Sequence, residues 1–163
     1  MYKGYKVIDA DSHTMEPDEL WDKYVEPEFR PWAPGGSKRL TPNIRPGRAG
    51  TDLRDLTRKG FAERPAYIND GEGGIITYEE AYRPYIEREF DTQSYISYMD
   101  AAGIDLMVLY PTAALGLTTV SQRQSPKVAA ALYKAYNNWL YDFCDQSAGR
   151  LLGAGGVDLR DAE

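Results

Sequence analysis

Val7 to Pro17 reads VIDADSHTMEP. A short apolar start runs into Asp9, Asp11 and His13, three groups that bind metals or protons, set at every second position. His13 is the only histidine in the 163 residues. On an extended strand, side chains at i and i+2 point to the same face, about 6.6 Å apart along the backbone. The spacing therefore predicts that Asp9, Asp11 and His13 share one face, if the strand stays extended through His13. Two readings stay open at this level. The D-x-H pair is either a hydrogen-bonded couple or the start of a site for one divalent cation, since oxygen and nitrogen donors suit zinc, manganese or iron. Clustered carboxylates repel one another and resist desolvation, and a bound dication removes both penalties.

Working outward, Val7 to Ala10 reads as a strand and Pro17 to Tyr24 as a short helix, with proline first and acids in its first turn. Pro27 to Gly50 then holds five prolines, four glycines and four arginines (Arg30, Arg39, Arg45, Arg48). Such a composition makes no regular element, and residues 27–90 read as a loop-rich excursion inside one domain. Asp52 to Ala62 allows a helical turn, and Asn69-Asp70-Gly71 with Gly73-Gly74 marks turns around a small hairpin holding Ile75 and Ile76. Tyr78 to Glu89 reads as a helix despite Pro84. Thr92 to Ala102 reads as another, closed by Gly103. Ile104 to Tyr110 (IDLMVLY) is an apolar run of strand length, suited to burial on both faces.

Ser125-Pro126 opens the clearest helix, serine capping and proline first. Val128, Leu132, Ala135, Tyr136, Trp139 and Phe143 line one stripe of it, and Gly149 ends it. Leu151 to Val157 reads as a third strand, and Asp158 to Glu163 as the start of a further helix. Strands alternating with helices predict an α/β fold with a parallel sheet and crossover connections. There is no internal repeat and no low-complexity tract.

The net charge of -6 and pI near 4.9 argue against nucleic acid or an anionic membrane as partner, both of which need a basic face. No apolar run approaches the roughly 18 residues of a membrane span, and MYKGYKVIDADSH does not read as a signal peptide. The single cysteine, Cys144, forms no internal disulfide, which favours a reduced, cytoplasmic setting. Trp139 and Cys144 read as helix packing.

Three stretches together carry a resemblance: VIDADSHTMEP, MDAAGIDLMVLYPT (Met99 to Thr112) and AYNNWLYDFCDQSAGRLLGAGGVDLRD (Ala135 to Asp161). They resemble the amidohydrolase-2 family, the metal-dependent hydrolases and decarboxylases that include aminocarboxymuconate-semialdehyde decarboxylase and the resorcylate-type decarboxylases. The resemblance implies a (β/α)₈ TIM-type barrel with one divalent metal, zinc first, at its carboxyl-end mouth. Its first-strand ligands, an acid or histidine and then a histidine two places on, fall on Asp11 and His13. A later histidine and a late aspartate have no counterpart here, and Asp158 and Asp161 follow the third strand, too early for the latter. A complete barrel takes about 250 residues. The resemblance therefore implies that 1–163 is a single partial domain, the first three barrel strands, with the catalytic base beyond Glu163.

Further roles rest on the same reading. Asp9 is assigned either to support of the ligands or to a structural hydrogen bond with a neighbouring strand. Glu16 is assigned to substrate contact, with favourable charge at a helix N-terminus as its simpler role. Tyr110, Pro111 and Thr112, at the second strand's exit, are assigned either to the substrate pocket or to a structural strand exit. The four arginines suit bidentate grip of a substrate carboxylate, or a solvated loop. The implied activity is hydrolysis or non-oxidative decarboxylation of a small carboxylate or ring compound, in a chain that self-associates when its sheet stays open. The competing class is a small α/β binding or scaffold domain without metal.

Overall fold

The computed structural model describes residues 3–17, 19–33, 67–69, 75–112, 114–117 and 124–161. The predicted helical turn in 52–62, Arg39, Arg45, Arg48 and most of the 27–90 excursion lie outside them.

Three strands, β1 (Ile8–His13), β4 (Leu106–Tyr110) and β5 (Leu151–Gly153), form a parallel sheet in the order β1-β4-β5. The apolar run 106–110 takes the centre, where both edges are paired. β1 is longer than the predicted 7–10, because its ladder continues to His13 opposite Tyr110. β5 is shorter than the predicted 151–157. Beyond Ala154 the chain turns to a helix side chain. Asn137 Nδ2 donates to the Gly156 carbonyl at 2.8 Å, and the Gly156 amide donates to Asn137 Oδ1 at 2.8 Å.

A separate hairpin pairs β2 (Tyr67–Asn69) antiparallel to β3 (Ile75–Thr77), as the turn residues predict. β3 runs directly into α2 (Tyr78–Glu87), which carries Pro84 inside it. Before these comes α1 (Glu19–Tyr24), and after them α3 (Thr92–Ala102) and α4 (Pro126–Asp145). The two long crossovers start and stop as their residues dictate. Asp91 caps α3 by accepting from the Ser94 amide at 2.8 Å, and Gly103 closes it at φ 71°, a left-handed conformation that glycine adopts without penalty. Ser125 caps α4, with Pro126 at its first position. Asp158 to Asp161 holds one 3₁₀ turn, Leu159–Asp161, closed by an ion pair of Arg160 with Asp158 at 2.5 Å.

Two apolar clusters hold these elements. Leu20, Trp21, Val25 and Phe29 pack on Val128, Leu132, Tyr136, Trp139 and Leu140 of α4, so the predicted stripe is the buried one. Met99, Met107, Leu109 and Leu151 pin α3 beneath the sheet, and Phe143 and Cys144 touch both clusters. Among the described residues, the sheet is covered on one face only. On the other, Ile8 is 58% exposed, Leu152 46% and Tyr110 39%.

Close approach of α4 to β5 depends on missing side chains. A Cβ on Gly153 would stand 2.5 Å from Leu140 Cγ, and one on Gly156 would collide with the Tyr133 ring. The clash reaches the Cγ branch point of Leu140 and not only its end, so more than a methyl group must give way. Gly153→Ala is therefore expected to lower unfolding stability by about 1–3 kcal/mol, measured by denaturant titration against the unaltered chain.

Candidate metal and substrate site

The site is built where β1 and β4 end together. Ile8 and Asp9 pair with Leu106 and Met107, whereas Ser12 and His13 pair with Leu109 and Tyr110. Three residues of β1 thus span two of β4, an extra residue that shifts the strand's phase. Paired residues of a parallel ladder point to the same side. Asp9 and Ser12 therefore lie on the helix-covered face with Met107 and Leu109, and His13 lies on the open face with Tyr110. Asp11 falls inside the shifted stretch and is exposed. The expectation that Asp9 shares a face with His13 is corrected here: alternation breaks at the bulge.

The Asp9 carboxylate holds the bulge. Oδ1 accepts from the Asp11 amide at 3.1 Å and Oδ2 from the Ser12 hydroxyl at 2.8 Å. These bonds are structural, but lie within β1 and not across to a neighbouring strand.

Asp11 and His13 are both exposed at the carboxyl end of the sheet. His13 Nδ1 lies 2.9 Å from the Pro111 carbonyl oxygen. A carbonyl only accepts, so Nδ1 carries the proton and the lone pair of the neutral ring falls on Nε2. The Tyr110 ring lies 6.3 Å from the imidazole, tilted by 46°. Thr112 is exposed just beyond. A bond to a backbone carbonyl is the usual way a ligating histidine is oriented. The donor types and the free Nε2 fit a divalent cation, though among the described residues no group of three or more His, Cys, Asp or Glu is placed to hold one.

Glu16 lies elsewhere than at a solvated helix start. It is 2% exposed, and its Oε1 accepts from the amides of Thr112 at 3.0 Å and Ala114 at 3.1 Å. Two tyrosines, Tyr95 half-buried and Tyr136 buried, stand near this carboxylate. Tyr95 donates to the His13 carbonyl at 2.9 Å. Burial first, and then Glu16, raises its hydroxyl pKa above the ordinary value, against the lowering effect of the Met15 amide. Tyr136 is raised for the same two reasons, and its hydroxyl makes no well-formed hydrogen bond. An open cleft of about 290 Å³ adjoins the helix side of β1, walled by Tyr82, Tyr85, Tyr95 and Tyr98.

The remaining candidates lie apart. Arg30 donates to the Val25 carbonyl at 3.2 Å, and Asp158 is occupied by Arg160. Burial pushes the Cys144 thiol up to about 11, so it stays protonated and serves packing. Tyr95 is the part of the site that the sequence does not announce. It is 82 residues from the carbonyl it meets, and nothing local marks it.

No family model matches the chain, and no curated protein matches it. Among solved structures, an amidohydrolase from Mycobacterium avium subsp. paratuberculosis K-10 superposes with a TM-score of 0.60 at 21% identity, over 97% of this chain and 43% of that one. The chain thus has an amidohydrolase-like fold, a mixed α/β arrangement consistent with part of a TIM-type barrel, and spans less than half the length of that protein.

Removing the Asp9 carboxylate frees the bulge. Asp9→Ala is expected to cost about 1.5–3 kcal/mol of stability, the scale of hydrogen bonds to a charged group. Thermal unfolding monitored by circular dichroism measures it.

Proposed function

We propose that this chain is the first part of a metal-dependent amidohydrolase-type barrel enzyme, in which Asp11 and His13 supply its share of the ligands to one divalent cation, zinc first and manganese or iron next. The observation that carries the reading is the Nδ1 contact of His13 with Pro111, which leaves Nε2 as a free donor beside an exposed carboxylate. The one-sided cover of the sheet supports it as well. Parallel sheets are ordinarily covered on both faces, and further barrel strands would cover the row formed by Ile8, Tyr110 and Leu152. The 43% coverage of the similar amidohydrolase fits the same proportion.

When bound, a divalent cation supplies Lewis-acid polarisation of a substrate oxygen and lowers the pKa of water. The chain's own residues do the rest of what can be derived. His13 keeps its proton on Nδ1 and offers Nε2. Asp11 adds a negative oxygen donor. Tyr110 and Thr112 stand at the mouth and face the substrate. Glu16 meets the substrate side only through the strand-exit turn it holds. The proton-moving base, a further histidine and a late aspartate belong to chain outside residues 1–163. The substrate is a small carboxylate or ring compound, and the reaction hydrolysis or non-oxidative decarboxylation.

Zinc titrated into the isotope-labelled chain is expected to shift the Nε2 resonance of His13 and the carboxyl of Asp11 before any other group. Asp11→Ala and His13→Ala should each weaken binding by at least about tenfold. Equal zinc affinity in all three proteins would instead favour a metal-free binding or scaffold domain.

A further inference from the structure

We infer that Glu16 is a positioning residue: through one peptide plane, Pro111–Thr112, it sets the tautomer and orientation of the His13 imidazole. The inference rests on the metal-ligand reading of His13 for its functional meaning, but its geometry stands by itself.

The Pro111 carbonyl and the Thr112 amide belong to the same peptide unit. The carbonyl end accepts from His13 Nδ1 at 2.9 Å, and the amide end donates to Glu16 Oε1 at 3.0 Å. No peptide bond among the described residues is cis, and in a planar trans unit the C=O and N–H point in opposite directions. The plane is therefore held at both ends, by the imidazole on one side and the buried carboxylate on the other. It cannot rotate to satisfy one partner without leaving the other.

The flanks are fixed as well. The Thr14 amide and hydroxyl both donate to the Tyr110 carbonyl, at 2.8 and 3.2 Å. The Ala114 amide donates to the same Glu16 oxygen at 3.1 Å. An acceptor at the amide end also polarises the peptide and makes its carbonyl a better acceptor, since linked hydrogen bonds strengthen one another. Free imidazole in histidine favours the proton on Nε2. Without a fixed acceptor at Nδ1, the lone pair that a cation needs would be occupied by hydrogen.

A single histidine makes this directly readable. Nitrogen-15 spectra of the labelled, chelator-treated chain, taken about two pH units above the ordinary histidine pKa near 6.5, report which ring nitrogen is protonated. The unaltered chain should show a protonated Nδ1 and a bare Nε2. Glu16→Ala should shift the tautomer ratio toward Nε2–H by roughly three- to tenfold, the scale of one net hydrogen bond. Glu16→Gln, whose amide oxygen still accepts from both N–H groups, should restore most of the original ratio. If Glu16→Ala fails to fold, Glu16→Asp gives the test, its carboxylate being one methylene too short to reach. A folded Glu16→Ala or Glu16→Asp with the unaltered tautomer ratio overturns the positioning role alone. A protonated Nε2 in the unaltered chain overturns it together with the metal-ligand reading. The expected tautomer shift with no zinc binding sinks only that reading.

Discussion

One extra residue in β1, held by the Asp9 carboxylate, decides which side chains reach the open end of this sheet. Without the bulge, strict alternation from Asp9 would carry Asp11 and His13 to the face packed on α3, among Met107 and Leu109. With it, the phase slips by one and His13 appears on the uncovered face. The bonds to Asp9 are short-range and charge-assisted, so the slip survives although an unpaired residue breaks the ladder. The placement of His13 at this strand end thus rests on an acid that points away from it.

Beyond the bulge, the exit of β1 and the exit of β4 are joined as a unit. Thr14, Tyr95 and Glu16 reach from one chain segment to the other, and each uses a backbone partner: the Tyr110 carbonyl, the His13 carbonyl, and the amides of Thr112 and Ala114. Burying a carboxylate is costly unless hydrogen bonds replace its water. Two amides on one oxygen supply part of that replacement, and the turn after β4 is organised around it. The neighbouring tyrosines stay neutral because burial and the carboxylate both oppose their ionisation.

The rest of the described chain serves to hold these two strand ends side by side. α4 lies close against β5 because Gly153 and Gly156 present no side chain, and it anchors α1 through the larger apolar cluster. α3 fastens the centre strand from below through Met99. The open side of the sheet, with Ile8, Tyr110 and Leu152 exposed, is the part of this architecture that the described residues do not cover.

Much of this organisation was legible in the residues. The Ser125-Pro126 start, the Gly103 limit of α3 and the apolar run before Pro111 each act within a turn or a strand, where local chemistry decides the backbone. The bulge was not, since register is a relation between two strands some 98 residues apart, and Asp9 looks the same in either phase. The burial of Glu16 was not legible for the same reason: beside Pro17 it reads as favourable charge at a helix start, and its amide partners, Thr112 and Ala114, lie some 96 to 98 residues away. Local sequence determined the elements and the donor types. Tertiary pairing decided which donors face outward, which carboxylate is buried, and which nitrogen of the single histidine is left free.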